Sequence, residues 1–99
     1  MKIIRKVVDQ INDEVSSAKH YAESYLEAKS NGNAQWTARY KEMVEDEIKH
    51  ATYQHERAVE MINKWKNVMS IPEEMLEKWT ECHNNYIEKV TIIKKMLEY

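Results

Sequence analysis

The chain has 99 residues, and only one glycine and one proline interrupt it. Proteins built from β-sheets need turn residues every ten positions or so, and these two types dominate turns. So small a supply excludes an all-β fold. The long stretches between the breaks consist largely of good helix formers such as Ala, Leu, Met, Glu and Lys. We therefore predict an all-α protein, and the length fits one small domain, residues 1–99.

The two interruptions divide the chain into three predicted helices. Gly32 is suited to a left-handed helix terminus, and Asn33 is suited to capping the helix that follows. The segment from Ser70 to Glu73 has the pattern of a capping box, with Pro72 in the first turn. The predicted helices cover residues about 2–30, 34–68 and 71–98. They reach roughly 40–50 Å at 1.5 Å per residue, which favours an elongated antiparallel bundle with short loops.

The charges nearly balance, with 15 Lys and Arg against 17 Asp and Glu and a net charge of -2. This balance argues against nucleic acid as a partner, because nucleic-acid binding usually needs a basic face. No apolar run approaches the roughly 18 residues that span a bilayer, and the first residues lack the apolar core of a secretory signal. The single cysteine, Cys82, is compatible with a reducing compartment. We expect a cytoplasmic protein that binds neither nucleic acid nor membrane.

Two of the predicted helices carry a carboxylate on their apolar stripe. The stripe of the first helix consists of Ile4, Val8, Ile11, Val15, Ala22 and Leu26, flanked by Val7, Ala18, Tyr21 and Tyr25, and Glu14 lies on it. The stripe of the second consists of Trp36, Tyr40, Met43, Glu47, Ala51, Gln54, Ala58, Met61 and Trp65, with His50 at its edge. Spacings of three and four are the helix period. Because an unpaired carboxylate is costly to bury, we expect both carboxylates to have a partner.

An antiparallel hairpin that turns near residues 31–32 brings these side chains to one level. Glu14 lies about as far before the turn as Glu47 and His50 lie after it, since each residue adds the same rise of about 1.5 Å. Two carboxylates and an imidazole form a donor set suited to iron, manganese or zinc. The Glu-x-x-His spacing of Glu47 and His50 is that of di-iron carboxylate proteins, which use two copies and two further glutamates. One chain carries half of this set, and a homodimer would supply all of it.

The same residues resemble a known family. The segment Glu14-Val-Ser-Ser-Ala-Lys-His-Tyr21, followed by Glu47-Ile-Lys-His50, is similar to the first helix pair of rubrerythrin-like members of the ferritin-like superfamily. The third predicted helix is similar to the last helix of small uncharacterised ferritin-like proteins of phages of Firmicutes, through Pro72, Met75, Trp79, His83, Ile87, Glu88 and Tyr99. The resemblance implies a ferritin-like fold and a di-iron site. The chain departs from rubrerythrins because it lacks a second ligand half and a Cys-rich module.

The first hypothesis is thus a small ferritin-like protein that binds iron, with ferroxidase or peroxide-linked activity as the reaction it would catalyse. Tyr21 and Tyr40 would donate hydrogen bonds to the metal ligands, and Gln54, His55 and His83 are weaker candidates around a metal. The second hypothesis is a metal-free helical dimerisation or adaptor module, for example of phage origin. There Glu47 would only bond to His50 or to the tyrosines. A third is a small zinc site of His55, Cys82 and His83, which would lie near Glu56. The large tryptophans, Trp36, Trp65 and Trp79, are expected at oligomer interfaces.

Overall fold

The structure is a computed structural model that describes residues 2–99, so Met1, the first residue of the predicted domain, lies outside the described residues. These 98 residues form three helices and no strand, with α1 at Lys2–Ser30, α2 at Ala34–Lys66 and α3 at Glu73–Met96. The all-α prediction is confirmed. α2 ends two residues earlier than predicted, and α3 is two residues shorter at each end. None of the helices in residues 2–99 is long and apolar enough to cross a membrane.

The turn between α1 and α2 takes the conformation that its residues predict. Gly32 has a positive φ of 71°, which side chains with a Cβ rarely adopt. Asn33 is the N-cap residue of α2, and its Oδ1 accepts a hydrogen bond from the backbone N–H of Trp36 at 3.1 Å. Its own N–H donates to the carbonyl of Ala28 at 2.9 Å. These local bonds satisfy helix-end groups and reverse the chain within three residues.

The start of α3 differs from the prediction. Pro72 is the N-cap residue, with φ -55° and ψ 136°, and no side chain caps this helix. The carbonyl of Pro72 accepts the backbone N–H groups of Met75 and Leu76 at 3.0 and 3.2 Å. The predicted capping box is therefore wrong, because it requires Ser70 at the N-cap, and Ser70 lies two residues before it. The first turn instead contains two acidic residues, Glu73 and Glu74, whose charge complements the helix dipole.

The three helices lie side by side in a molecule that measures 55 × 18 × 17 Å. α1 packs closely against both of the others, whereas α2 and α3 hardly approach each other at the backbone. α3 runs in the same direction as α1, since Ile93 packs with Ala18 and Ala22, and the Tyr25 hydroxyl donates to the carbonyl of Leu97 at 3.2 Å. α2 and α3 meet instead through long side chains near the middle of their lengths.

The buried stripe of α2 lies part of a turn away from the predicted one. Its buried residues are Val44, Ala51, Ala58 and Ile62. Glu47, predicted at the centre of the stripe, is half-buried, and His50 is exposed. The physical reason is that α2 packs against two helices, so that Ile48 and His55 on the side of α3 also turn inward. A stripe defined from one hairpin alone cannot include this second contact.

The tryptophans divide between the core and the surface. Trp65 and Trp79 pack against the main buried cluster within the same chain, so their burial does not depend on a partner. Trp36 is 45% exposed at the start of α2, where its ring lies 5.5 Å from that of Tyr40. The expected place at an oligomer interface stays a prediction for Trp36.

Candidate functional site

Glu14 has the one buried side-chain oxygen or nitrogen in residues 2–99 that lacks a hydrogen-bond partner. The residue lies in the middle of α1 and is half-buried, but its Oε2 atom is inaccessible to solvent. Burial raises the pKa of this carboxyl above its ordinary value; the charges of Glu47 and Asp13 act in the same direction, and that of His50 acts against it. Glu14 is thus a carboxylate whose negative charge is poorly compensated within the chain.

Glu47 and His50 lie beside Glu14 on the neighbouring helix. Oε1 of Glu47 is 3.8 Å from Nδ1 of His50, one helical turn away, and the two side chains are 25% and 56% exposed. Such an exposed pair contributes about 0–1 kcal/mol to stability when the histidine is protonated. Both residues act on the pKa of Glu14, so the three ionisable groups occupy one level of the α1–α2 hairpin. Within residues 2–99, however, no three His, Cys, Asp or Glu side chains come together closely enough to hold a metal ion.

α3 leaves this side of the hairpin uncovered. It reaches α2 at Thr52 and His55, through hydrogen bonds to Tyr86 and His83. Thr52 lies two residues after His50, which is about 200° around a helix, so these two side chains point in nearly opposite directions. The side of α2 that carries His50 therefore faces away from α3.

The other residues proposed around a metal are distributed along the same hairpin. Tyr21 is half-buried against a small cluster that includes Ala18 and Val44. Tyr40 packs on Trp36 near the turn, and Gln54 is half-buried one turn after His50. The role expected for the two tyrosines, as hydrogen-bond donors to metal ligands, stays a prediction.

A second polar cluster joins α2 to α3. Nε2 of His55 lies 2.7 Å from Nδ1 of His83, so that one ring donates a hydrogen bond and the other accepts it. The rings of His55 and His83 meet edge to edge, with centroids 4.9 Å apart. The ring of Tyr86 stacks on that of His55 at 4.6 Å, and Trp79 tilts against it at 5.2 Å. Thr52 Oγ1 is 2.8 Å from the hydroxyl of Tyr86. The prediction that His83 lies near His55 is confirmed.

Burial lowers the pKa of His55 below its ordinary value, and His83 lowers it further, whereas the nearby charge of Glu56 acts in the opposite direction. The sequence pattern predicts the two histidines and Glu56 together, and Tyr86 beside His83, but it does not single out Thr52. The signal for Thr52 is its spacing of three residues from His55, which is that of neighbours on a helix face.

Cys82 takes no part in the histidine cluster, although it precedes His83 in the chain. Its thiol is buried toward α1, with Sγ 4.0 Å from the carbonyl oxygen of Val8. Burial raises the pKa of this thiol to about 11, and the charge of Asp9 adds to the shift. Successive helical residues point about 100° apart, so the contact with α1 turns Cys82 away from the side on which His83 meets α2. The predicted zinc set of His55, Cys82 and His83 therefore loses its cysteine.

Comparisons of this chain with models of protein families, with curated proteins and with solved structures find no match. No relative therefore contributes a ligand set, a reaction or a partner. What the protein does has to be inferred from the chemistry of its own residues.

Proposed function

We propose that this protein is a small ferritin-like metal-binding protein that binds iron through Glu14, Glu47 and His50. The observation that carries the proposal is the buried Oε2 atom of Glu14, which has no hydrogen-bond partner. A buried acceptor left unsatisfied costs about 1–3 kcal/mol, and such groups in native proteins call for an explanation, an ion among them. A cation at this level would compensate Glu14 and the neighbouring carboxylate of Glu47 together.

The donor set fits iron. Carboxylate oxygens and a neutral imidazole nitrogen bind iron, manganese and zinc, and the protein would select among them by geometry and supply. Glu14 and Glu47 provide negative charge to hold the cation, and His50 provides a nitrogen that is exposed enough to turn toward it. Iron bound there would supply oxygen- or peroxide-linked oxidation chemistry, and oxidation of iron itself is the activity that we propose.

A second copy of the chain would complete the site. One chain offers three ligands, and di-iron carboxylate proteins use four carboxylates and two histidines from four helices. A twofold dimer of the α1–α2 hairpins would supply this number by symmetry. The side of the hairpin that carries the ligands is the one that α3 leaves uncovered, and it presents half-buried side chains, among them Tyr21, Met43, Gln54 and Met61.

The proposal is tested by anaerobic titration of the metal-free protein with iron(II), followed by exposure to air. We expect about one iron per chain, hence two per dimer, and a new near-ultraviolet absorption after oxidation. The variant Glu47→Gln/His50→Ala should lose this binding. A matched control is Glu45→Gln/His20→Ala, which changes the same residue types at exposed positions.

Equal iron binding by the Glu47→Gln/His50→Ala variant and the parent would refute the assignment. Sedimentation of the iron-loaded protein gives an independent result, because a strict monomer at high concentration cannot assemble a site with ligands from two copies.

The second candidate function is a metal-free dimerisation or adaptor module, as in a phage assembly. It is favoured by the exposure of His50 and by the raised pKa of Glu14, since a protonated carboxyl can sit in the hairpin without a cation. A dimer that forms in the presence of a chelator, combined with no iron uptake, would support this function and exclude the first.

A further inference from the structure

The contact between α2 and α3 is built around a pair of histidines. The two backbones hardly approach each other, so side chains make the connection. Nε2 of His55 and Nδ1 of His83 face each other at 2.7 Å. Within residues 2–99 this is the one hydrogen bond that joins two histidine rings.

We propose that His55 and His83 form a second metal site, which binds a borderline divalent ion such as zinc and thereby links α3 to α2. The two imidazole nitrogens are the protein ligands, and water completes the coordination. This site is separate from the one proposed at Glu14, Glu47 and His50, and it would stand if that proposal failed.

The chemistry of the two imidazoles allows a metal ion to replace the hydrogen bond between them. In a neutral pair, one facing nitrogen carries a proton and the other a lone pair. Moving that proton to the far nitrogen of the same ring leaves two lone pairs facing the same point, so a metal can replace the hydrogen bond without changing the charge of either ring. Zinc–nitrogen bonds of 2.0–2.1 Å in a tetrahedral site separate two ligand atoms by about 3.3 Å. The facing nitrogens, now 2.7 Å apart, therefore need to move apart by about 0.6 Å, and the rings need to tilt.

The surroundings hold the rings in place and keep them accessible. His55 stacks on Tyr86, which Thr52 fixes through a hydrogen bond of 2.8 Å between their hydroxyl oxygens. Both histidines are half-buried, so an ion can reach them from solvent. The carboxylate of Glu56 acts electrostatically on His55 and adds negative charge that favours a cation.

The second site lies on a different side of α2 from the first one. His55 follows His50 by five residues, which is about 140° around the helix, and it faces α3 whereas His50 faces solvent. An ion at His55 and His83 would cross-link two elements that are far apart in the chain. It would stabilise the folded state because the unfolded chain does not hold the two rings together.

The test is a calorimetric titration of the chelator-treated full chain with zinc chloride. Thermal unfolding is then measured with and without zinc. We expect that zinc raises the melting temperature of the Glu47→Gln/His50→Ala protein, in which only the second site can bind, and that adding His83→Gln abolishes this rise. Removing the hydrogen-bond partner of a metal ligand typically weakens metal binding about tenfold or more. Removing one of the two ligands themselves should weaken zinc binding at least as much. His20→Ala is the matched control, because His20 is exposed, and it should bind zinc as the parent does.

Two further measurements keep the proposal falsifiable if a variant fails to fold. X-ray absorption at the zinc edge of Glu47→Gln/His50→Ala, which keeps only the second site, should give two imidazole nitrogens per zinc at 2.0–2.1 Å. In a Trp36→Phe/Trp65→Phe background, copper(II) should quench Trp79, whose ring lies 5.2 and 5.8 Å from the two histidine rings.

In the Glu47→Gln/His50→Ala background, fewer than two imidazoles per zinc would overturn the proposal, and so would unchanged zinc affinity after a further His83→Gln substitution in a folded protein. Zinc binding that survives His83→Gln but disappears in Glu47→Gln/His50→Ala would assign the ion to the first site and equally refute the second. Retained zinc binding in Glu47→Gln/His50→Ala, with loss of iron binding, would support both sites.

Discussion

Replacing Glu14 with methionine should stabilise the metal-free protein at neutral pH. The substitution removes the buried Oε2 atom, which has no hydrogen-bond partner, and keeps a straight side chain of similar length at the same place on α1. Glu and Met have nearly equal helix propensities, so the helix itself should be unaffected. The change in stability then reports the unfavourable burial of the carboxylate.

The magnitude follows from the burial. An unsatisfied buried acceptor costs about 1–3 kcal/mol, and we expect the lower end of this range, about 1 kcal/mol, because Glu14 as a whole is only half-buried. For a domain of 60–100 residues, 1 kcal/mol shifts the melting temperature by about 4–8 °C. A shift of this size is readily measured by circular dichroism during thermal or urea unfolding, in the presence of a chelator.

The effect should also depend on pH. The raised pKa means that the folded chain holds the proton of Glu14 more tightly than the unfolded chain does. The free energy of unfolding of the parent therefore falls as the pH rises from below the ordinary value of 4.5 through the raised pKa, and it stays lower above it. Glu14→Met lacks this dependence, so its advantage over the parent should be larger at pH 7 than at pH 4.

The exposed Glu23 on the same helix provides the control, because Glu23→Met should change the free energy of unfolding by no more than about 0.5 kcal/mol. A Glu14→Met protein that is less stable than the parent at pH 7 with chelator present would refute the reasoning. It would mean that the carboxylate makes a favourable interaction in the absence of metal.

Three further predictions concern the fold and the thiol. Ile11→Ala, at a fully buried position, should lower the free energy of unfolding by about 2–5 kcal/mol in urea titrations, whereas Ile3→Ala, at a position 46% exposed, should lower it far less. Asn33→Ala should lower it by about 1 kcal/mol through loss of the cap, and Ser70→Ala should leave it unchanged; equal effects would contradict the assigned caps. The Cys82 thiol, with its pKa raised to about 11, should react with a thiol reagent at pH 8 much more slowly in the folded than in the urea-unfolded chain, and comparable rates would contradict its burial.

Much of the fold depends on local interactions and was therefore predictable. Gly32 and Asn33 end one helix and begin the next through bonds within a few residues. The lack of other breaks makes the remaining segments helical. Since the rise per residue is constant and the loops are short, the levels of His55 and His83 could be counted along the chain as well.

The rotation of each helix about its own axis was not predictable in the same way. It depends on which neighbours share the burial: α3 packs closely against α1 and reaches α2 through side chains. The side-chain contact between α2 and α3 moves the buried stripe of α2 and leaves His50 exposed. The contact between α3 and α1 turns the thiol of Cys82 toward α1. The N-cap of α3 was decided in the structure too, since the chain enters the helix at Pro72 without a side-chain cap.

The sequence by itself thus determined three helices, the turn between the first two, and the levels at which carboxylates and histidines lie. Only the tertiary structure decided which of these side chains face one another. It separated the Glu14 level, on the side that α3 leaves uncovered, from the histidine pair between α2 and α3. The physical reason is that helix formation and rise are properties of neighbouring residues, whereas the direction of a side chain around the helix is set by apolar burial against the whole molecule.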